Sequence, residues 1–489
     1  MDSLADCAFA AHFAVLPDPR SGPATRHGLL DIVTIAVCAV VCGADSWVDV
    51  ELFGASKEPW LRTFLALPHG VPSHDTFGRV FAALDPTAFE AAFLGWVQTL
   101  AAATAGQVVA IDGKTLRRSH DRAAGKKPLH LVSAWAGANG LVLGQVATDK
   151  HSNEITAIPA LLAALAVEGC VVTIEAMGCQ TAIAGQIRAQ GADYVLALKD
   201  NQPTLRELVA HHFAVVAAAG TAGLPHSYHA GVGKDHGRLE IRRCWATADP
   251  EVLAWVDPER AWPDLTSVAC VEGERWIGGA VSREARYYLT SLPADAARIG
   301  AAVRGHWGIE NRLHWVLDVA FREDESRVRA GHAAQNFAVL RHLALNLLRR
   351  ERSLTVGSHA KRLTCGWDEA YLLRVLAASM RLPCNGGPQP SGKRAGAVRL
   401  WWRCAPRARP ASARAAPLRS IGRGQPQARA APLQRRARPA AGESGAPTNW
   451  RAWHAAPRRS GSRPTFHAAG TANGDSASRV AANASVRQP

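Results

Sequence analysis

The chain lacks most signatures of the common enzyme classes. None of its 10 cysteines forms a Cys-x-x-Cys pair, so a zinc cluster and a disulfide framework are both excluded as organising devices. No phosphate-cradling Gly-rich loop, dinucleotide fingerprint or Ser/His/Asp arrangement is present. Cys38 and Cys42 sit in an apolar helical run, where a small buried thiol is the usual reason for a cysteine. That run, Leu29 to Ala44, is too short to span a bilayer and is interrupted by Asp31. The opening residues, MDSLADCAFAAHF, carry acids where an export signal has a basic region. The expectation is a soluble, reducing, cytoplasmic protein with no membrane partner.

Excess charge is also missing from most of the chain. The 489 residues hold 56 Lys+Arg and 41 Asp+Glu, net +15, which by itself suggests a polyanionic partner. Residues 381–489, however, contain 20 of the basic residues and 2 of the acids, so residues 1–380 have 36 basic and 39 acidic residues, net −3. All the surplus lies in a tail rich in Arg, Ala, Pro and Gly, which cannot bury enough apolar surface to offset ordering entropy and is expected to be disordered. Its composition also resembles GC-rich DNA translated out of frame. A selected nucleic-acid-binding arm is the rival reading.

What is present divides into a helical start and a mixed α/β body. Residues 1–105 read as a helical domain. In SHDTFGRVFAAL, Phe77, Val80, Phe81 and Leu84 recur at helical spacing behind a candidate N-cap, Ser73. With KEPWLRTFLAL before it, this pair reads equally as a plain helical hairpin or as a helix-turn-helix presenting His74, Asp75, Thr76 and Arg79 to DNA. From Val108, three strand-like runs (VVAIDGKTL, HLVSAWAG, GLVLGQVAT) are followed by helix, strand, helix and strand. That order matches an RNase H-like mixed sheet, expected over 106–380 with a β-rich insertion at about 205–292. Later helical segments carry HWGIEN and AAQNFAVLRHLALNLLRRE, the latter reading as strongly amphipathic.

Three acids stand out by position. Asp112 ends the first apolar run, Glu175 follows the β-branched strand VVTI, and Glu310 lies on a helix beyond the insertion. In open sheets, ligands and metals collect at the carboxyl ends of strands. Three converging carboxylates repel unless cations neutralise them, and their hard oxygens suit Mg²⁺ or Mn²⁺. A pair of such ions clamps the attacking and leaving oxygens of a phosphoryl displacement.

The segments DPRSGPATRHGLLDIVTIAVCAVVCGADSW, GVPSHDTFGRVF, AIDGKTLRRS, HLVSAWAG, SNEITAIPALL, AMGCQ, DYVLALKDNQ, HGRLEIRR, HWGIENRLHWVLDVAFREDESRVR and GWDEAYLL, in this order between about Asp18 and Leu376, resemble the H-repeat-associated DDE transposases of the ISAs insertion-sequence family. The resemblance implies metal-dependent cutting and joining of double-stranded DNA at terminal inverted repeats and target DNA, with a homodimer on the DNA. By position, Asp112 and Glu310 match the first and last catalytic acids. The family reads Asp-Ala-Met-Gly-Cys-Gln where this chain has Glu175, so retained metal binding with impaired cleavage is expected. Mn²⁺, geometrically more tolerant, could then be preferred over Mg²⁺.

Around these acids, Lys114, Arg117, Arg118, Lys199, Asn201, Arg304, His306, Trp307, Asn311 and Arg312 are candidate DNA contacts. For Trp307 and Trp315 packing is the slightly favoured reading. Asp318, Glu323, Asp324 and Glu325 read as a solvated or salt-bridged face with Arg322, Arg327 and Arg329. Two rival functions remain: a decayed copy that binds DNA without cutting it, and a nuclease or resolvase of the same fold.

Overall fold

The computed structural model describes residues 8–377 apart from 23–24, 101–105, 122–124, 149–152, 219–225 and 236. The chain divides into units 1–409 and 410–489. The expected disordered tail, 381–489, lies outside the described residues.

Five helices open the chain: α1 (Ala8–Phe13), α2 (Leu29–Val41), α3 (Trp47–Leu61), α4 (His74–Ala83) and α5 (Pro86–Leu100). The apolar run is a core helix, with every residue from Ile32 to Val41 buried. A capping box starts α3: the Asp49 N–H donates to Ser46 Oγ at 3.3 Å and the Ser46 N–H donates to the Asp49 carboxylate at 2.9 Å. Helix α4 buries Phe77, Val80 and Phe81, as their spacing predicts. Ser73 stands at its N-cap, but its hydroxyl pairs with the Thr76 hydroxyl at 3.2 Å instead of a backbone N–H. His74 donates its backbone N–H to Glu51 of α3 at 2.9 Å, while Asp75 and Thr76 stay at the surface.

Nine strands form one sheet: β1 (Val108–Leu116), β2 (Leu129–Ala136), β3 (Leu141–Ala147), β4 (Val171–Ile174), β5 (Asp193–Leu198), β6 (Ser227–Asp235), β7 (Arg238–Thr247), β8 (Ser267–Ile277) and β9 (Ala280–Thr290). Their spatial order is β3-β2-β1-β4-β5-β9-β8-β7-β6. Only β1 with β4 and β4 with β5 run parallel, linked through α6 (Glu154–Ala164) and α7 (Thr181–Ala189). The region read as an insertion holds α8 (Pro203–Ala218), α9 (Pro250–Val256) and β6 to β9. It continues the sheet, because the end of β9 pairs antiparallel with β5 from Val195↔Thr290 to Leu198↔Tyr287. This is a mixed α/β architecture around one large mixed sheet.

The remaining helices are α10 (Ala296–His306), α11 (Trp315–Phe321), α12 (Ala333–Arg350), α13 (Ser358–Trp367) and α14 (Glu369–Ala377), with a π-helical segment, Ile309–His314, leading directly into α11. Helix α10 packs Ile299 and Val303 into the apolar cluster formed by Val171, Val195 and Tyr288 on one sheet face. Helix α12 ties the opening helices to the sheet; its sequence is amphipathic as expected, but its polar face is buried along with its apolar one. Asn336 donates to the carbonyls of Phe81 (2.8 Å) and Leu84 (2.9 Å), and Asn346 exchanges two 2.9 Å hydrogen bonds with the Val142 backbone of β3. These two asparagines are thus paired inside the core, whereas Arg341 Nε and Nη2 and His342 Nδ1 are buried without a hydrogen-bond partner among the described residues. Among the described residues no single helix is long and apolar enough to cross a membrane.

Candidate active site

Asp112 does not end its strand. It is the fifth residue of β1, which runs on against β2 to Leu116. The parallel ladder with β4 does stop there, its last rung being Ile111↔Ile174, so Asp112 and Glu175 are the first residues beyond it on neighbouring strands. Glu175 begins a short 3₁₀ turn, Ala176–Gly178. Glu310 is exposed on the π-helical segment.

Electrostatics tie the three carboxylates together. Burial pushes the Asp112 carboxyl up to about 7, with repulsion from Glu175 next in weight and smaller contributions from Glu310 and Glu154; only the Gly113 N–H opposes them. Glu175 moves the other way. Burial would raise it, but Lys199, whose Nζ lies 2.9 Å from Oε2, and His306, 4.0 Å from Oε1, hold it below the ordinary range. His306 is buried, hydrogen-bonds Thr173 through Nδ1 at 3.0 Å, and is pushed down by that burial. His314 places Nδ1 3.5 Å from Asp112 Oδ2; burial and Lys114 lower it to about 4, so it is a neutral imidazole at pH 7.

This donor set fits a hard divalent cation: carboxylates that raise one another's affinity for protons equally favour a bound positive charge. As they stand, no three His, Cys, Asp or Glu groups among the described residues are gathered closely enough to hold an ion.

The candidate DNA contacts divide. A cleft of about 220 Å³ beside Glu175 is lined by Lys199, Arg206, Arg286, His306 and Trp307 among others. The Arg286 guanidinium covers the Trp307 ring at 4.6 Å and pairs with Glu284 at 2.8 Å, so one face of that indole is already occupied. Arg304, Asn311 and Arg312 are exposed on α10 and the π-helical segment. Asn201 donates instead to the Ala176 carbonyl, holding the turn after Glu175. Arg117 is exposed but pairs with Asp324 at 3.1 Å, and Arg118 is exposed.

Two expectations are overturned outright. Lys114 does not face solvent: it is largely buried, with Nζ bonded to Asp318 and, at 2.9 Å, to Glu323. Glu323 belongs to no solvated face either, being 3% exposed; burial would raise its carboxyl, yet Lys114, Arg341 and His342 together keep it below the ordinary value. The packed reading of Trp315 fails as well, since it is 60% exposed.

Several neighbours are brought in by the fold alone. Glu154 hydrogen-bonds His130 at 2.9 Å, and His130 in turn meets the Thr115 hydroxyl at 2.8 Å. This chain of groups lies over Gly113, where a Cβ would fall 2.1 Å from Glu154 Oε1 and 2.5 Å from His130 Nε2. The four-residue spacing of Glu310, His314 and Asp318 was the one legible signal for His314.

Comparison with known proteins identifies the family. The family model described as "Transposase DDE domain" matches residues 103–347, and the model "DDE_Tnp_1-associated" matches residues 10–97. "H repeat-associated putative transposase YhhI" of Escherichia coli (strain K12) is 36% identical over 75% of this chain and 97% of its own length. "Putative transposase YncI" of Escherichia coli O157:H7 is 39% identical over 76% and 95%. A cryo-EM structure of the piggyBac transposase synaptic complex with hairpin DNA covers 83% of this chain and 82% of its own at 11% identity and a TM-score of 0.35, a likeness that carries no argument. The chain belongs to the DDE transposase family, with H repeat-associated transposases among its relatives.

Proposed function

We propose that this chain cleaves and rejoins double-stranded DNA at the ends of an insertion sequence by metal-dependent phosphoryl transfer, with Asp112, Glu175 and Glu310 as its catalytic acids. The observation that carries the reading is geometric: Asp112 and Glu175 are the first residues beyond the β1–β4 ladder, and His314, from the segment that bears Glu310, lies 3.5 Å from Asp112. The strand order β3-β2-β1-β4-β5 supports an RNase H-like core.

Mg²⁺ or Mn²⁺ held by Asp112, Glu175 and Glu310 would lower the pKa of an attacking water and neutralise charge on the departing 3′ oxygen. The protein's own groups supply the rest. Asp112, fixed in mid-strand between β2 and β4, sets the origin of the site. Glu175, tethered by Lys199, must adjust its extra methylene to bring an oxygen into line. His314 stays uncharged beside Asp112 and so adds no competing cation. Arg304, Asn311 and Arg312, exposed along the approach to Glu310, are the groups suited to DNA phosphates, and helices α1 to α5 would supply a DNA-recognition part. Two copies would hold the two ends, and the reaction belongs to the cytoplasm, where the DNA is.

One observation favours a second reading, a copy that binds without cutting: Glu175 stands in an acid position already engaged by Lys199. Cleavage of a duplex carrying the flanking inverted repeat, with Mg²⁺ or Mn²⁺, tests both. The proposed function predicts products that vanish in Asp112→Asn and Glu310→Gln; binding without products in the parent chain and in Glu175→Asp supports the second reading.

A further inference from the structure

Glu310 makes no side-chain hydrogen bond or ion pair among the described residues, so its place is inherited from its helix. That helix lies along β1. Asp112 and Lys114 share one face of the strand, two residues or about 6.6 Å apart; His314 and Asp318, where the π-helical segment passes into α11, are four residues or about 6 Å apart. The near match lets two cross-ties form together: His314 Nδ1 to Asp112 Oδ2 at 3.5 Å, and Lys114 Nζ to Asp318.

A second tie closes from beyond the helix. Arg322 adopts a left-handed conformation (φ 49°, ψ 39°), uncommon for a side chain with a Cβ, and turns the chain so that Glu323 enters the interior. There Glu323 takes the same Lys114 ammonium at 2.9 Å and faces Arg341 at 3.7 Å. The following segment is laced to the end of β1 and its loop by Arg117 with Asp324 (3.1 Å), Arg329 Nε with the Arg118 carbonyl (2.8 Å), and Lys126 Nζ with the Gly331 carbonyl (2.8 Å).

Buried ion pairs are weak sources of stability, and their best attested use is to fix register. We propose that Lys114, joined to Asp318 and Glu323, is a positioning residue that sets the register of the Glu310 helix on β1, and that it does not contact DNA phosphate. A slip of one residue would rotate the helix by about 100° and swing Glu310 away from Asp112. The inference rests on the proposed function only for its catalytic consequence.

The test combines hydrogen exchange with DNA binding on Lys114→Met and Asp318→Asn. Exchange is expected to rise across 309–325 while β2 to β5 stay protected, the affinity for an inverted-repeat duplex and its salt slope remain unchanged, and kcat falls about 10²-fold with KM unaltered. A salt slope reduced by about 1, with exchange unaffected, would identify Lys114 as a phosphate contact and overturn the proposal. Exchange rising across the whole sheet would overturn it too, as a general loss of stability. Should Lys114→Met fail to fold, Asp318→Asn, which leaves the Lys114–Glu323 pair in place, still gives the exchange reading, and Lys114→Gln, which keeps a polar group against both acids, gives the salt slope. If the parent chain cuts no duplex, the proposed function fails, and the exchange pattern still decides on the clamp.

Discussion

Shortening Glu175 to Asp tests the catalytic geometry most sharply, because charge and both oxygens survive and only reach changes. The substitution draws the carboxylate back by about 1 Å, a displacement that in a reacting array is worth about 10²-fold. That corresponds to about 2.7 kcal/mol of transition-state stabilisation. It also stretches the 2.9 Å contact to Lys199, but this pair is substantially exposed, at 52% and 32% of the two side chains, and contributes about 0–1 kcal/mol. The two effects therefore separate. Single-turnover cleavage of an inverted-repeat duplex should accelerate about 10²-fold, while urea unfolding shifts by no more than about 1 kcal/mol. Equal rates for the two proteins, with equal stability, would refute the argument from side-chain length.

Two further outcomes concern stability. The Asp112 carboxyl is raised to about 7 in the folded chain from 3.8, so the native state binds more protons than the unfolded state between these values, and Asp112 makes stability fall as pH rises through that window. Asp112→Asn should consequently stabilise the metal-free protein at pH 8, by on the order of 3–4 kcal/mol, and leave it unchanged at pH 3, as read by chemical unfolding at the two pH values. Asn346→Leu strands the buried N–H and C=O of Val142, each worth about 1–3 kcal/mol when unpaired, and should lower unfolding free energy by about 2–4 kcal/mol after the gain from the larger apolar side chain.

Local patterns were legible where one physical rule dominates. The spacing of Phe77, Val80 and Phe81 specified α4 and its buried face, and the β-branched run before Glu175 specified β4. Asp112 looked terminal because Gly113, Lys114 and Thr115 read as a polar turn, whereas the β2 ladder carries β1 through them. The polar Asn336, Arg341, His342 and Asn346 of α12 suggested a solvent face, yet all four are buried, the two asparagines on backbone carbonyls and Arg341 facing Glu323. Lys114 looked like a phosphate contact because its acids stand far away at 318 and 323, beyond the whole β6 to β9 extension. That extension in turn looked separate because no periodicity discloses that β9 will pair with β5. The three acids were proposed from strand ends and family motif, and His306 from its nearness to Glu310 in sequence; Glu154 and His130 depend on long-range placement that spacing does not reveal.

The central claim is that Asp112, Glu175 and Glu310 share one electrostatic site, and the Asp112 carboxyl itself reports on it. Carbon-13 NMR of the labelled carboxyl should give a titration midpoint near 7 in the metal-free protein, lowered in Glu175→Gln, lowered less in Glu310→Gln, and lowered again when Mg²⁺ is added to the parent chain. A midpoint near the ordinary 3.8 that ignores both substitutions and the cation would contradict the account.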